Sequence, residues 1–444
     1  MATDKHDTTT LESEKEAPRV LERVSWKSQA VLVEQLVTGD KAEFIVRHRN
    51  GTVDRVESFE LDEGRVLKPL PIEDLDALRW THFDRSIILI PTSPARYGTI
   101  DNLDRRIKEH VARYSVVPAE IEPVLSLYVR GTWLADRSQT APYLRLTGPH
   151  SSGKSRTSRV VGHLCRKPYL TNSTASEASL NRTMEMLGLC TTIIDENEYD
   201  RGSETQVAMN KMLRVGFETN GSVERCDEVV RDGIRTHRPV RFHVFGPKII
   251  CAINHVPDPA LQSRCIPVRM VESRSAPIEL PAGYLDEVMA LQAMLIQYRL
   301  DHYFDPLPEP ERLNVSGRLN QLYLPLAKLG TPDQLEALKV LIFGLQEERD
   351  SEAEVGTYAR IAEAIRLLAE DPNTEHIHID SVAANTEGSV SKQEVGYFVR
   401  RLGLRSTRGR GNRGPRWIDA PKETTLAALA TAGYGAGEPE MKAA

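Results

Sequence analysis

Apolar positions recur along the chain with two periods, and the changes of period divide it into parts. Residues 1–24 show neither period; Met1 to Arg19 is almost wholly polar and charged, and the stretch reads as a disordered tail. From Ala30 the pattern alternates. AVLVEQLV is followed by KAEFIVRHRN and GTVDRVESFEL, which set Asn50-Gly51 between two alternating runs, the strongest short hairpin signal. With SIILIP (Ser86 to Pro91) as a further strand, residues 25–98 read as a small β-rich module. Between Asn102 and Asp136 the spacing lengthens to three-to-four in LDRRIKEHVARY and PAEIEPVLSLYVRGTWL, which predicts two helices.

Residues 99–275 contain short apolar runs separated by helical segments. YLRLTG, CTTIIDE, FHVFGPKIICAIN and CIPVRM are the expected strands, and their alternation with helices predicts an α/β core on a mainly parallel sheet. Residues 276–352 are expected to be helical, through YLDEVMALQAMLIQYRLDHYF, GRLNQLYLPLAKL and PDQLEALKVLIFGLQEE. From residue 353 the order ARIAEAIRLLAED, HIHIDSVAANTE, SKQEVGYFVRRLGL, an Arg/Gly-rich turn and RWIDAP predicts helix, strand-helix, helix and a β wing, through residue 434. The final ALATAGYGAGEPEMKAA has no core pattern and reads as frayed, with 435–444 a flexible tail.

Composition excludes some classes. The 444 residues are 40% hydrophobic and 27% charged, ordinary for soluble domains, and no apolar run nears the roughly 20 residues that span a bilayer. No membrane partner is expected. The polar N-terminus has no signal-peptide core. Cys165, Cys190, Cys226, Cys251 and Cys265 are odd in number and lack a CxxC spacing, which argues against a disulfide framework or zinc ribbon and for a cytoplasmic setting. The formal net charge of −6 does not advertise a nucleic-acid partner, so charge must be read locally.

The chemistry begins at Gly148-Pro149-His150-Ser151-Ser152-Gly153-Lys154-Ser155-Arg156, which matches G-x-x-x-x-G-K-[ST] between an expected strand and an expected helix. Glycines let backbone N–H groups approach phosphates, and the following helix offers its positive end. Lys154 is expected to reach the β- and γ-phosphates of ATP and Ser155 to hold Mg²⁺. Asp195, ending TTIID, is expected to bind Mg²⁺ through water, and Glu196 beside it to polarise the attacking water.

With these residues the chain resembles the AAA+ class of P-loop ATPases. The resemblance implies that Asn254, closing the strand Phe245 to Asn254, is the first sensor. It implies that Arg264, in DPALQSRCI, is an arginine finger reaching the ATP of a neighbouring subunit. Arg318, in SGRL, resembles the second sensor of the helical lid. More narrowly, FHVFGPKIICAIN with PALQSRCIPVRM looks like the ATPase core of phage- and plasmid-type replication helicases; residues 1–100 carry no primase motif. A trans finger implies a homo-oligomer, expected as a hexameric ring.

Two stretches point to DNA. Val223 to Arg241 predicts two extended arms bending at Asp232-Gly233, with Arg231, Arg235, His237, Arg238 and Arg241 available to phosphates in the manner of an AAA+ pore hairpin. From Lys392 to Arg416 eight basic residues stand against one acid, Glu394. Lys392, Arg400, Arg401, Arg405, Arg408, Arg410 and Arg413 are the expected contacts, on a recognition helix and wing that resemble a winged helix-turn-helix. The expected activity is ATP-dependent DNA translocation or unwinding in replication. An ATP-regulated DNA-binding transcription regulator, or a nucleotide-switch scaffold, uses the same parts without strand separation.

Overall fold

The computed structural model describes residues 19–62, 64–76, 89–172, 175–195, 204–231, 234–252, 258–273, 279–386, 390–408 and 415–434. Two compact units divide them, one to Ile342 and one from Phe343.

The first unit opens with β1 (Arg19–Glu22), β2 (Ser25–Lys27), β3 (Val31–Thr38), β4 (Lys41–His48), β5 (Val53–Val56), β6 (Phe59–Leu61) and β7 (Arg65–Lys68), then α1 (Ile72–Asp76). Strands β2 to β5 form an antiparallel sheet. The Asn50-Gly51 hairpin lies where the alternation places it, with Arg47 opposite Val53 and the His48 N–H donating to the Thr52 carbonyl at 2.8 Å. Val33, Phe44, Val46 and Leu67 close its core. The expected tail 1–24 is too long: Arg19–Glu22 is a strand, parallel to β7, because Leu21 packs onto this core. Ser86, Ile87 and Ile88 of the expected strand SIILIP lie outside the described residues; Leu89, Ile90 and Pro91 form no strand.

Two helices follow as expected, α2 (Ile100–Tyr114) and α3 (Glu122–Trp133). The α/β core comprises β8 (Tyr143–Thr147), α4 (Lys154–Gly162), β9 (Pro168–Asn172), α5 (Glu177–Leu187), β10 (Thr191–Asp195), α6 (Glu204–Val215), β11 (Ser222–Arg231), β12 (Ile234–His243), β13 (Lys248–Ala252), α7 (Pro259–Gln262) and β14 (Cys265–Arg269). Five strands form one sheet in the order β14-β8-β13-β10-β9, and every neighbouring pair is parallel. All five residues of β8 and of β13 are buried, as a parallel sheet covered on both faces requires.

The run Phe242 to Asn254 is not one strand. Phe242 and His243 end β12, Val244 to Pro247 turn, and β13 begins at Lys248. Buried Lys248 holds that turn: its ammonium donates to the carbonyls of Val244 and Gly246, each at 3.0 Å, and lies 4.8 Å from the Tyr143 ring centre. Burial pushes this lysine down to about 7. Strand β9, at the sheet edge, is not marked by its sequence, since Pro168 opens it and only five residues pair.

Helices α8 (Tyr284–His302), α9 (Gly317–Ala327) and α10 (Pro332–Val355) follow, the last running past the unit boundary. Fully buried Arg130 on α3 ties them to the core. It makes two hydrogen bonds to Asp104 on α2, at 2.7 and 3.0 Å, and donates to Gln334 on α10 at 2.9 Å. A second buried cluster joins the N-terminal sheet to the core. Glu34 on β3 accepts from Arg166, just beyond α4, at 2.6 and 2.9 Å, and from Arg299 on α8 at 2.7 Å. Arg299 also grips Asp136 through two bonds of 2.9 Å. Burial alone raises the Glu34 carboxyl, but the charges of Arg166, Arg299 and Lys167 overcome it and hold it at about 2.

The second unit contains α11 (Thr357–Glu370), α12 (Ile379–Ala384), α13 (Lys392–Arg401), β15 (Ser406–Arg408), β16 (Arg416–Ile418) and α14 (Lys422–Thr431). Ser391 caps α13 through a capping box with Glu394, and Val395, Phe398 and Val399 turn inward beside Ile361, Ile365 and Val382. β15 and β16 pair antiparallel. The frayed end expected from Ala428 is a correction. Residues 422–431 are helical, with Leu429 buried and Tyr434 packed edge-on against Phe398 at 5.4 Å. Leu426 and Leu429, three apart, supply the inward face that an Ala-rich stretch conceals.

Replacing Glu34 with Gln leaves the buried Arg166 guanidinium without its carboxylate, while Arg299 keeps Asp136, and costs about 3–5 kcal/mol. The urea midpoint is expected to fall accordingly; an unchanged midpoint contradicts the cluster's role. The Glu34 carboxyl is depressed on folding, so its contribution is full above about 4.5 and fades as pH falls towards about 2. A pH series of urea midpoints should show wild type losing its advantage over Glu34→Gln in that window.

Candidate functional site

The loop after β8 turns straight onto α4. Gly148 has φ +152°, and a Cβ there would stand 2.3 Å from the Met270 carbonyl oxygen, so a side chain has no room. Gly153 takes the left-handed conformation, φ +83°, directly before Lys154. Lys154 folds back over the loop: its ammonium donates to the carbonyls of Gly148 at 2.8 Å and Pro149 at 2.7 Å. The Ser152 hydroxyl donates to the Pro149 carbonyl at 2.8 Å, closing the same turn. A cation is thereby centred in a glycine-bearing loop at the N-terminus of a helix, a setting suited to anions. His150, Ser151 and Arg156 belong to the loop and first helical turn.

Ser155 and Asp195, brought together from α4 and the end of β10, are joined by a hydrogen bond in which the serine hydroxyl donates to Asp195 Oδ1 at 2.8 Å. One hydroxyl and one carboxylate beside a phosphate loop form a hard oxygen pair of the kind Mg²⁺ uses, with waters and phosphate oxygens completing its shell. These residues fit the ion. Glu196 and Asn254 lie outside the described residues, as do Arg410 and Arg413.

Arg264 and Arg318 lie at the other end of the sheet. The Arg264 carbonyl accepts from Tyr143 N–H, at the start of β8, at 3.2 Å. Its guanidinium donates to the carbonyls of Arg214 (3.1 Å) and Ala260, and packs over the Phe217 ring at 5.7 Å. Arg318, in the first turn of α9, packs over the same ring at 5.4 Å. Phe217 carries no sequence signal for this position; it follows α6 and packs edge-on against Tyr143 at 5.7 Å.

β11 and β12 form the expected hairpin, paired as far as Arg231 opposite Ile234, on either side of Asp232-Gly233, which are outside the described residues. Its base rests on α5: Arg225 pairs with Glu177, and Glu185 accepts from His243 N–H at 2.8 Å. Arg235, His237 and Arg238 are exposed on β12, and Arg231 closes β11. The Arg241 guanidinium is taken by Glu224 across the hairpin, with Nε at 3.1 Å.

In the second unit an open groove of 720 Å³ runs between α13 and the β15–β16 hairpin. Lys392, Tyr397, Arg400, Arg408 and Arg416 line it, with Asp380 paired to Lys392 at 2.9 Å. Arg408 stands directly opposite Arg416 in the register, an arrangement that costs stability unless an anion joins them. Arg405 is exposed just before β15. Arg401, also exposed, packs its guanidinium over Tyr358 at 5.3 Å, on the side of α13 that faces α11. One residue advances a helix by about 100°, so neighbouring arginines part company.

Cys165, Cys190, Cys251 and Cys265 are buried free thiols and Cys226 is exposed. Among the described residues no helix is long and apolar enough to cross a membrane.

No protein-family model matches the chain, and no curated protein matches it. Among solved structures it is similar to the apo C-terminal region of NrS-1, at 12% identity and a TM-score of 0.34, over 87% of this chain and 96% of that one. It is similar to the SCCmec type IV active helicase Cch at 12% identity and a TM-score of 0.36, over 93% and 80%. A full-length MCM homologue from Methanopyrus kandleri follows at 12% and 0.32, over 72% and 74%.

Proposed function

We propose that this chain is an ATP-dependent DNA helicase or translocase of AAA+ type, working as an oligomeric ring. The observation that carries the proposal is the Ser155–Asp195 hydrogen bond at 2.8 Å, beside a lysine seated in a phosphate-shaped loop. In this reading Lys154 leaves the carbonyls of Gly148 and Pro149 for the β- and γ-phosphates of ATP. Ser155 and Asp195 hold the magnesium ion, which when bound offsets charge on the phosphates. Glu196 orients water and Asn254 senses the γ-phosphate.

Arg264 supports the oligomer. It lies at the N-terminal edge of the parallel sheet whereas the loop lies at the C-terminal edge, so its guanidinium suits a neighbour's nucleotide. A trans arginine of this kind is worth roughly 10³–10⁵ in rate. The β11–β12 hairpin, with Arg235 and Arg238 exposed, is read as the element that follows the DNA strand. The groove of the second unit, read as that of a winged helix, adds a further DNA-binding surface through Lys392, Arg400, Arg408 and Arg416, with Arg405 beside it.

Lys154→Ala is expected to lower ATP turnover by on the order of 10²-fold or more, as loss of a phosphate-stabilising donor does. Full turnover by the purified variant removes the assignment. Paired charge reversal, Arg408→Glu with Arg416→Glu, is expected to weaken duplex binding and reduce the slope of log K against log salt by about 2, one for each phosphate no longer neutralised. Arg401→Ala is expected to leave that slope unchanged while lowering the urea midpoint. Fluorescence anisotropy across a salt series checks both, and equal slopes for wild type and the double reversal contradict the groove.

A further inference from the structure

Arg264 and Arg318 come from separate segments, the turn after α7 and the start of α9, and meet over a single aromatic ring. Glu218 is the one described carboxylate near them, and it pairs with Arg318 alone. Among the described residues Arg264 has no carboxylate at ion-pair distance; its guanidinium donates to the backbone carbonyls of Arg214 and Ala260. Arg318 makes a long ion pair with Glu218, at 3.8 Å, and its buried Nη1 makes no hydrogen bond. Burial, and after it the charge of Arg318, push the Arg264 guanidinium below its ordinary range. One carboxylate at 3.8 Å from one of the two guanidiniums leaves most of their donors open to a further anion.

The sheet decides whose anion it is. Phe217 packs on Tyr143, the first residue of β8, and the phosphate loop starts only after Thr147, the last. At about 3.3 Å per residue β8 separates the two ends by about 13 Å. The arginine pair therefore cannot serve its own loop without moving α9 along the length of the strand. A second sensor acting on the nucleotide of its own subunit is not where Arg318 stands.

We propose that Arg318 acts together with Arg264 on the terminal phosphate of the nucleotide held by a neighbouring copy, and that Phe217, on whose ring both guanidiniums pack, is the positioning residue for the two. Two planar forks are suited to the three oxygens of a transferred phosphoryl group, and an aromatic face orients each fork without neutralising it. This inference rests on the ATPase-ring reading above.

The test uses mixed assemblies of full-length chains, co-expressed with two different tags and isolated through both. Lys154→Ala and Arg318→Ala are each expected to lose on the order of 10²-fold of ATP turnover alone. In the mixed assembly, an interface between an intact Lys154 from one chain and an intact Arg318 from the other is complete. Turnover is expected to return to about a quarter of wild type, the share of such interfaces under random closure of a ring. The pair Lys154→Ala with Arg264→Ala is the reference. Recovery there, with none for Arg318→Ala, overturns the proposal and leaves the trans-arginine reading standing. No recovery in either mixture overturns both, and an inactive wild type overturns the ATPase reading itself. Full turnover by Arg318→Ala alone also overturns the proposal. Phe217→Leu, close in volume, is expected to lower kcat at least about 10-fold with KM little changed, and to be rescued by Lys154→Ala in the same assay. Because rescue requires its phosphate loop to be folded and working, failure of rescue overturns the positioning role.

Discussion

Five strands running the same way impose the arrangement of everything else in the first unit. A parallel sheet has two unlike edges, one where every strand begins and one where every strand ends. Buried throughout, β8 sits between β13 and β14 and cannot slip, since a one-residue shift would turn its apolar faces out of register with both neighbours. At its end the chain must turn, and the turn is the loop that closes on Lys154. β10 ends at the same edge and delivers Asp195 to Ser155. At the starting edge lie Lys248, Arg264 and Arg318, with Phe217 packed among them, too far along the strand for the Gly148–Ser155 loop of the same chain to use. The polarity of one sheet thus separates the Gly148–Ser155 loop and Asp195 from an arginine-bearing face, which is the division the proposed ring of identical subunits needs.

The N-terminal module belongs to this machinery through charge. Glu34 is carried on an antiparallel strand of a separate small sheet, yet it neutralises Arg166 at the far end of α4 and Arg299 on α8. α4 is the helix whose other end bears Lys154 and Ser155. A rearrangement of the phosphate loop that shifts α4 is therefore felt at Glu34. Buried, multiply bonded ion clusters tolerate little displacement, because a separated charge is left desolvated. The module is accordingly tied to the core beyond the end of α4 opposite Lys154.

What could be read from the chain alone follows from how local the signal is. Gly148 to Ser155 and TTIID are contiguous, and their chemistry needs only short spacing; the structure brings Ser155 and Asp195 together. The Asp232-Gly233 bend and the Ser391–Glu394 capping box are equally local, and both are flanked by the predicted elements. Strand β9 is hidden by its opening proline, and the break at Gly246-Pro247 by the apolar residues on both sides. α14 is hidden by alanines that carry little hydrophobic contrast. The positions of Arg401 and Arg318 depend on partners distant in sequence, Tyr358 and Phe217, so composition can group them with other arginines but not orient them. Glu34 reads as one polar residue in a strand, and only the tertiary fold shows that two arginines converge on it.

The decisive measurement is strand separation of a forked DNA duplex by the purified wild-type protein, followed by fluorescence as one strand leaves the other. With ATP and magnesium the fork is expected to open at a rate that rises with ATP concentration. With a non-hydrolysable ATP analogue the protein should bind the fork and leave it paired. Binding of equal strength in both conditions, with no strand released in either, would contradict the helicase account and favour a nucleotide-switched DNA-binding protein.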